Sequence, residues 1–212
     1  MTKRFTPETL AIISGLLLTL SFPPFDMFFI AWVAWIPLWA AMQQDGWQRG
    51  FKLGYITGFI FTLTSLNWIA NNSGTNIWVA SASMMGSVAY LSLWFGLFGL
   101  IIARTGRNLG TKGLWMAPAF WVSIEFLYIY HGYTLAFPWL SLAMTQNFAL
   151  PLQQLAEYGG IYAISFWVVS LNTILFQLEF GKLTVRTQQL VWGVLGFIIV
   201  GSFIFGAVRM KV

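Results

Sequence analysis

FPWLSLAMTQNFALPLQQLAEYGGIYAISFWVVSLN, residues Phe137–Asn172, joins two unlike pieces. Its first third is aromatic and broken by Pro138. Its last half is an apolar run long enough to enter a bilayer, where a helix needs ~20 predominantly apolar residues. Between them lie Gln146, Asn147, Gln153, Gln154 and Glu157. A polar cluster between membrane segments points to a site that faces the water interface.

The rest of the chain has the same character. Of its 212 residues 58% are hydrophobic and only 8% charged, and the mean hydropathy is +0.73. A soluble domain carries about 25% charged residues, so this chain has too little charge to coat a globule in water. Lipid is its main solvent, and an aromatic share of 18% with 12 Trp suits interfacial aromatic belts. The net charge of +5 therefore concerns topology rather than nucleic acid. With no cysteine, one His and six carboxylates, no disulfide, thiolate nucleophile, metal site or cofactor is expected.

Outward from the opening stretch, the pattern predicts an all-α, polytopic helix bundle: one transmembrane domain over 1–212 with seven spans, near 8–22, 26–42, 51–70, 77–103, 113–130, 152–178 and 188–208. Lys3 and Arg4 before an apolar run resemble a signal peptide. However, the run ends in Phe22-Pro23-Pro24-Phe25-Asp26 without a small-residue cleavage site, so an uncleaved first span is preferred. Gly54 and Gly58, four apart, suit a close helix-packing face. With a cytoplasmic N-terminus, nine basic residues (Lys3, Arg4, Arg49, Lys52, Arg104, Arg107, Lys112, Lys182 and Arg186) fall inside, and only Arg209 and Lys211 outside. That is the positive-inside pattern. The expectation is a multi-pass protein of the bacterial inner membrane with its 131–151 loop and C-terminus extracytoplasmic.

Several residues could carry function. Glu125 lies within the fifth span, where an acidic group costs roughly 2.5–3.5 kcal/mol on insertion scales; it either lines a cavity or makes a polar contact between helices. His131, where that span exits, is either a proton carrier or an interfacial residue at a helix end. Ser141 and Thr145 are nearby, but no Gly-x-Ser-x-Gly elbow supports a serine hydrolase. Phe137, Pro138 and Trp139 form an apolar wedge, either a contact for lipid or a plain anchor. Gln146, Gln153, Gln154 and Glu157 are poor anchors, although they could simply solvate a loop. Asn172, deep in the sixth span, needs a partner on another helix.

Several segments, in order, resemble the membrane half of apolipoprotein N-acyltransferase. They are LSFPPFDMFFIAWVAWIPLW near the start; Leu66-Asn67-Trp68-Ile69 with Ser73; Pro118 and Trp121 through Glu125 and Leu127; Phe137-Pro138-Trp139-Leu140 followed by Gln146; and Gln154-Leu155-Ala156, Gly160-Ile161-Tyr162, Ser165-Phe166 and Asn172. Two departures stand out. Tyr128 occupies a position where the family often has Arg, which leaves Glu125 without that partner, and Ala143-Met144-Thr145-Gln146 replaces Gly-Tyr-Ser-Gln. The resemblance implies transfer of a phospholipid acyl chain to the N-terminal amine of a lipoprotein's diacylglyceryl cysteine. In that family a Glu–Lys–Cys triad in a nitrilase-like domain does the chemistry, and none of its residues can be carried over here. The chain is therefore expected to be a truncated product or half of a split enzyme, inactive alone, with no catalytic residue. It would hold membrane phospholipid and lipoprotein substrate beneath a separate nitrilase-like subunit. Phe137, Pro138, Trp139, Gln146 and Glu157 are the expected lipid contacts, with Glu125 and His131 behind them. The rivals are a non-enzymatic membrane partner that kept the fold and a small transporter. A transporter would usually show paired halves or charged pathway residues.

Overall fold

A computed structural model describes residues 5–71, 74–130, 132 and 136–211. The protein is an all-α membrane bundle. Among the described residues it has seven helices of nine residues or more. Four stretches, Gly50–Asn71, Ile77–Tyr130, Ala156–Phe180 and Val185–Arg209, are long and apolar enough to cross a bilayer.

Helix α1 (Pro7–Ser21) begins where sequence chemistry starts a helix: the Thr6 hydroxyl accepts from the Thr9 N–H at 3.2 Å, and Pro7 sits at a position whose N–H has no intrahelical partner. It ends before Phe22-Pro23-Pro24, because proline cannot continue the ladder. The next segment, expected as one span over 26–42, is broken. A 3-10 turn at Phe28–Trp32 leads through a bend to the short α2 (Ile36–Gln44). Helices α3 (Gly50–Ser65) and α4 (Ile77–Leu109) follow. Asn76 caps α4 by accepting from the Trp78 N–H at 2.8 Å, and Gly110, at φ +59°, ends it. With 33 residues, α4 is ~50 Å long at 1.5 Å per residue, well beyond the ~30 Å of a hydrocarbon core. A turn at Gly110–Met116 reverses the chain into α5 (Ala117–Tyr130).

After two short 3-10 turns, Pro138–Leu140 and Leu142–Gln146, come the one-turn α6 (Leu150–Gln153), α7 (Ala156–Phe180) and α8 (Val185–Arg209). Helix α7 is interrupted near its start. Gly159 and Gly160 leave helical geometry, and Gly160 takes φ +60°, a conformation that costs glycine little.

The packing has three centres. Helices α3 and α4 meet along glycines: a Cβ on Gly54 would run into the Phe95 carbonyl, and one on Gly99 would lie 3.0 Å from the Gly54 Cα. Such small residues let backbones approach closely in lipid. The second centre is aromatic. Trp35 has its ring centroid 4.7 Å from Trp121 and 5.1 Å from Phe98, and Phe95 lies 5.1 Å from Trp121. The third is α7, whose apolar stretch is 61% buried, against 11% for that of α8.

Helix α7 is buried because its polar side chains complete the backbone of other segments. Unpaired backbone groups are costly in a bilayer, and the broken 28–36 segment exposes several. The Asn172 amide donates to the Ala31 carbonyl at 2.8 Å and its oxygen accepts from the Trp35 N–H at 2.9 Å. These are the bonds expected of a polar residue at that depth. Ser14 of α1 donates to the Ala34 carbonyl. The next residue, Thr173, donates to the Leu114 carbonyl at 3.4 Å, and Gln177, one turn on, to the Thr111 carbonyl, which fixes the turn between α4 and α5.

Candidate functional site

The loop that follows α5 is stitched down from three sides. Glu125 is fully buried, and its Oε1 accepts the Leu142 N–H at 2.7 Å. Tyr128, one turn on, donates its hydroxyl to the Leu140 carbonyl at 3.0 Å and lies 3.4 Å from Glu125 Oε1. Where the family often has Arg, Tyr128 thus gives Glu125 a hydroxyl contact. From α7, the Ser165 hydroxyl accepts the Ala143 N–H at 3.1 Å. Ser141 and Ser165 both face the carboxylate; Glu125 Oε2 and the Ser141 hydroxyl have no partner at hydrogen-bond distance.

Gln146 is buried rather than at the mouth. Its oxygen accepts from the Trp32 indole N–H at 3.1 Å, and its amide donates to the Phe28 carbonyl at 3.2 Å and to the Thr145 hydroxyl at 2.7 Å. Thr145 in turn donates to the Leu142 carbonyl at 2.7 Å. Of the residues that depart from Gly-Tyr-Ser-Gln, Thr145 thus joins Gln146 in this local network. Gln146 ties the loop to the broken 28–32 turn, so that turn and the loop form one unit.

What these bonds leave outside is the tip. Pro138 and Trp139 are exposed and Phe137 is half-buried. The Trp139 ring packs edge-on against Phe137 at 5.1 Å and Trp68 at 6.4 Å, which brings in the end of α3's extension. Glu157 is also exposed, but its partner is Arg209, at the end of α8. His131 lies outside the described residues. The structure thus separates the six expected residues that it describes. Phe137, Pro138 and Trp139 form a surface tip, Glu125 and Gln146 form buried supports, and Glu157 joins α7 to α8.

Two lipid-facing hollows lie on α7. One, of about 480 Å³, runs between α7 and α8 past Leu155, Tyr158, Phe166, Trp167 and Phe197. Its floor offers a guest few polar groups, since the Trp167 indole N–H donates to the Ser202 hydroxyl at 2.9 Å and Ser202 to the Ile198 carbonyl at 2.6 Å. The other, of about 410 Å³, lies between Val122, Phe126 and Leu127 of α5 and Tyr162 of α7. The supports that the sequence reading passed over are Tyr128 and Ser165. Their signal was a hydroxyl on the buried face of an otherwise apolar span.

Residues 14–174 match the family described as the apolipoprotein N-acyltransferase N-terminal domain. The chain belongs to the apolipoprotein N-acyltransferase family. Similar proteins of that name occur in Geobacter metallireducens, 33% identical over 80% of this chain and 33% of the relative, and in Pasteurella multocida, 26% identical over 84% and 34%. In Coxiella burnetii the figures are 29% identity over 91% and 40%. The chain spans about a third of the length of the curated relatives it matches. The family match takes in the broken 28–36 segment, Glu125, the stitched loop and α7 as far as Ile174.

Proposed function

We propose that these 212 residues serve as the membrane domain of a phospholipid:apolipoprotein N-acyltransferase. In this role the domain holds lipid substrates at the outer leaflet of the bacterial inner membrane. The acyl chain of a phospholipid and the diacylglyceryl cysteine of a lipoprotein meet at the tip formed by Phe137, Pro138 and Trp139, with Glu125 and Gln146 holding that tip in shape. The hollow between α7 and α8 suits an acyl chain, because its floor is apolar and its polar groups bond one another. The observation that carries the reading is the family match across residues 14–174, which includes the loop and the groups that stitch it.

Acyl transfer through a thioester needs a thiolate with a base beside it, and these residues include no cysteine. A nitrilase-like unit supplies the nucleophile. The chain alone, given phospholipid and a diacylated lipopeptide, forms no triacylated product. A chimera in which these residues replace the matching third of the Geobacter metallireducens relative acylates the lipopeptide. A folded but inactive chimera sinks the proposal and favours the second reading, a non-enzymatic membrane partner. Triacylated product from the chain alone overturns both.

A further inference from the structure

The opposite end of the bundle holds a crevice that the acyl-transfer reading does not use. Several contacts define this end. Glu8 at the start of α1 pairs with Arg49 and Lys52 at the start of α3, and the Trp47 indole sits over Gly106 near the end of α4. Gln177, near the end of α7, reaches the carbonyl of Thr111. Between these parts lies a cavity of about 520 Å³, lined among others by Gln43, Trp47, Leu109, Lys112, Trp115 and Lys182.

Its charge is one-sided. Arg49 is held by Asp45 at 2.7 Å and by Glu8 at 2.6 Å, and Lys52 by Glu8 at 3.1 Å. Among the described residues, Arg104, Arg107, Lys112, Lys182 and Arg186 are in none of the ion pairs. Of these five, Lys112 and Lys182 line the crevice, and among the described residues its lining includes no carboxylate. Its charged lining is therefore cationic, offset in part by the C-terminal ends of α4 and α7, each end worth about half a negative charge. Its walls are not wholly polar: Leu109, Phe180 and Leu183 give it an apolar side, and Trp115 is half exposed at its edge. A small free anion would leave that side empty. An amphiphile with an anionic head fits both halves, and basic pockets between helices near a membrane surface take such head groups. The bond from Gln177 to Thr111 holds one wall in place before anything binds.

We propose that this crevice binds the head group of an anionic phospholipid, with Lys112 and Lys182 facing its phosphate. The site lies at the end of the bundle that carries the paired Arg49 and Lys52, and needs no acyl-transfer chemistry. The test reconstitutes the full chain in nanodiscs of phosphatidylcholine with a minor share of photoactivatable phosphatidylglycerol and maps the crosslinks. Labelling concentrates on the Leu109–Trp115 and Phe180–Leu183 segments and falls about tenfold in K112Q/K182Q. It is unchanged in R209Q, whose charge lies at the other end. Photoactivatable phosphatidylcholine labels these segments weakly, and glycerol 3-phosphate does not compete. Both lysines are exposed, so the double variant keeps the wild-type melting profile. Equal labelling by the two lipids, full labelling of K112Q/K182Q, or competition by glycerol 3-phosphate each overturns the proposal. Crevice labelling with an inactive chimera would leave this site standing and the acyl-transfer reading refuted.

Discussion

Asn172 bonds three backbone groups, one on its own helix and two on the broken segment that packs beside it. Replacing it with alanine leaves the Trp35 N–H and Ala31 carbonyl buried and unsatisfied. Asn172→Ala should cost about 2 kcal/mol, measured by thermal unfolding in detergent. Glu125 calls for a different comparison. Glu125→Gln keeps an oxygen for the Leu142 N–H, whereas Glu125→Leu does not. Hydrogen exchange at the Leu142 amide should stay slow in the first variant and speed up at least tenfold in the second. Equal protection in both would mean that the carboxyl does not hold the loop. The sequence marked Asn172 and Glu125 as needing partners, because polar groups in lipid are expensive. It could not say that their partners are backbone atoms. Gln146 was misplaced for a related reason: an amide in a polar stretch looks solvated until the chain folds it against Trp32.

The helices themselves were legible from apolar runs bounded by proline, glycine and capping residues, as at Thr6, Asn76 and Gly110. The breaks were not. Nothing in the apolar pattern of 26–42 distinguishes one span from a 3-10 turn followed by a nine-residue helix, because hydropathy records burial in lipid and not the state of the ladder. The Gly159-Gly160 pair was visible in the sequence, but its positive φ was not. The α3–α4 glycines allow a sharper test. A Cβ on Gly54 meets fixed backbone, whereas one on Gly196 in α8 meets nothing within 4 Å. Gly54→Ala should lower stability by about 2 kcal/mol, while Gly196→Ala should leave the melting temperature unchanged or higher. Equal effects would place the close approach elsewhere.

At the scale of the molecule, the distribution of Lys and Arg gives an orientation that labelling can decide. The chain has no cysteine, so a single introduced thiol reports without background. Asn147→Cys should react with a membrane-impermeant maleimide in spheroplasts, and Lys182→Cys only after lysis. The reverse pattern would invert the protein in the membrane. Helix α8 has a further consequence. The polar bonds and ring contact that join it to the bundle lie along its last third, at Ser202, Phe205 and Arg209, with Gly206 close against Pro151, while further up it is held by apolar packing at Val191, Leu195, Ile198 and Ile199. Under tension applied at residue 211, α8 should peel away in a small first rupture, leaving the α1–α7 assembly to yield later at higher force. The helix is thus moored most firmly at one end, like a boat, and held along the rest by the apolar contact of those four side chains with the core.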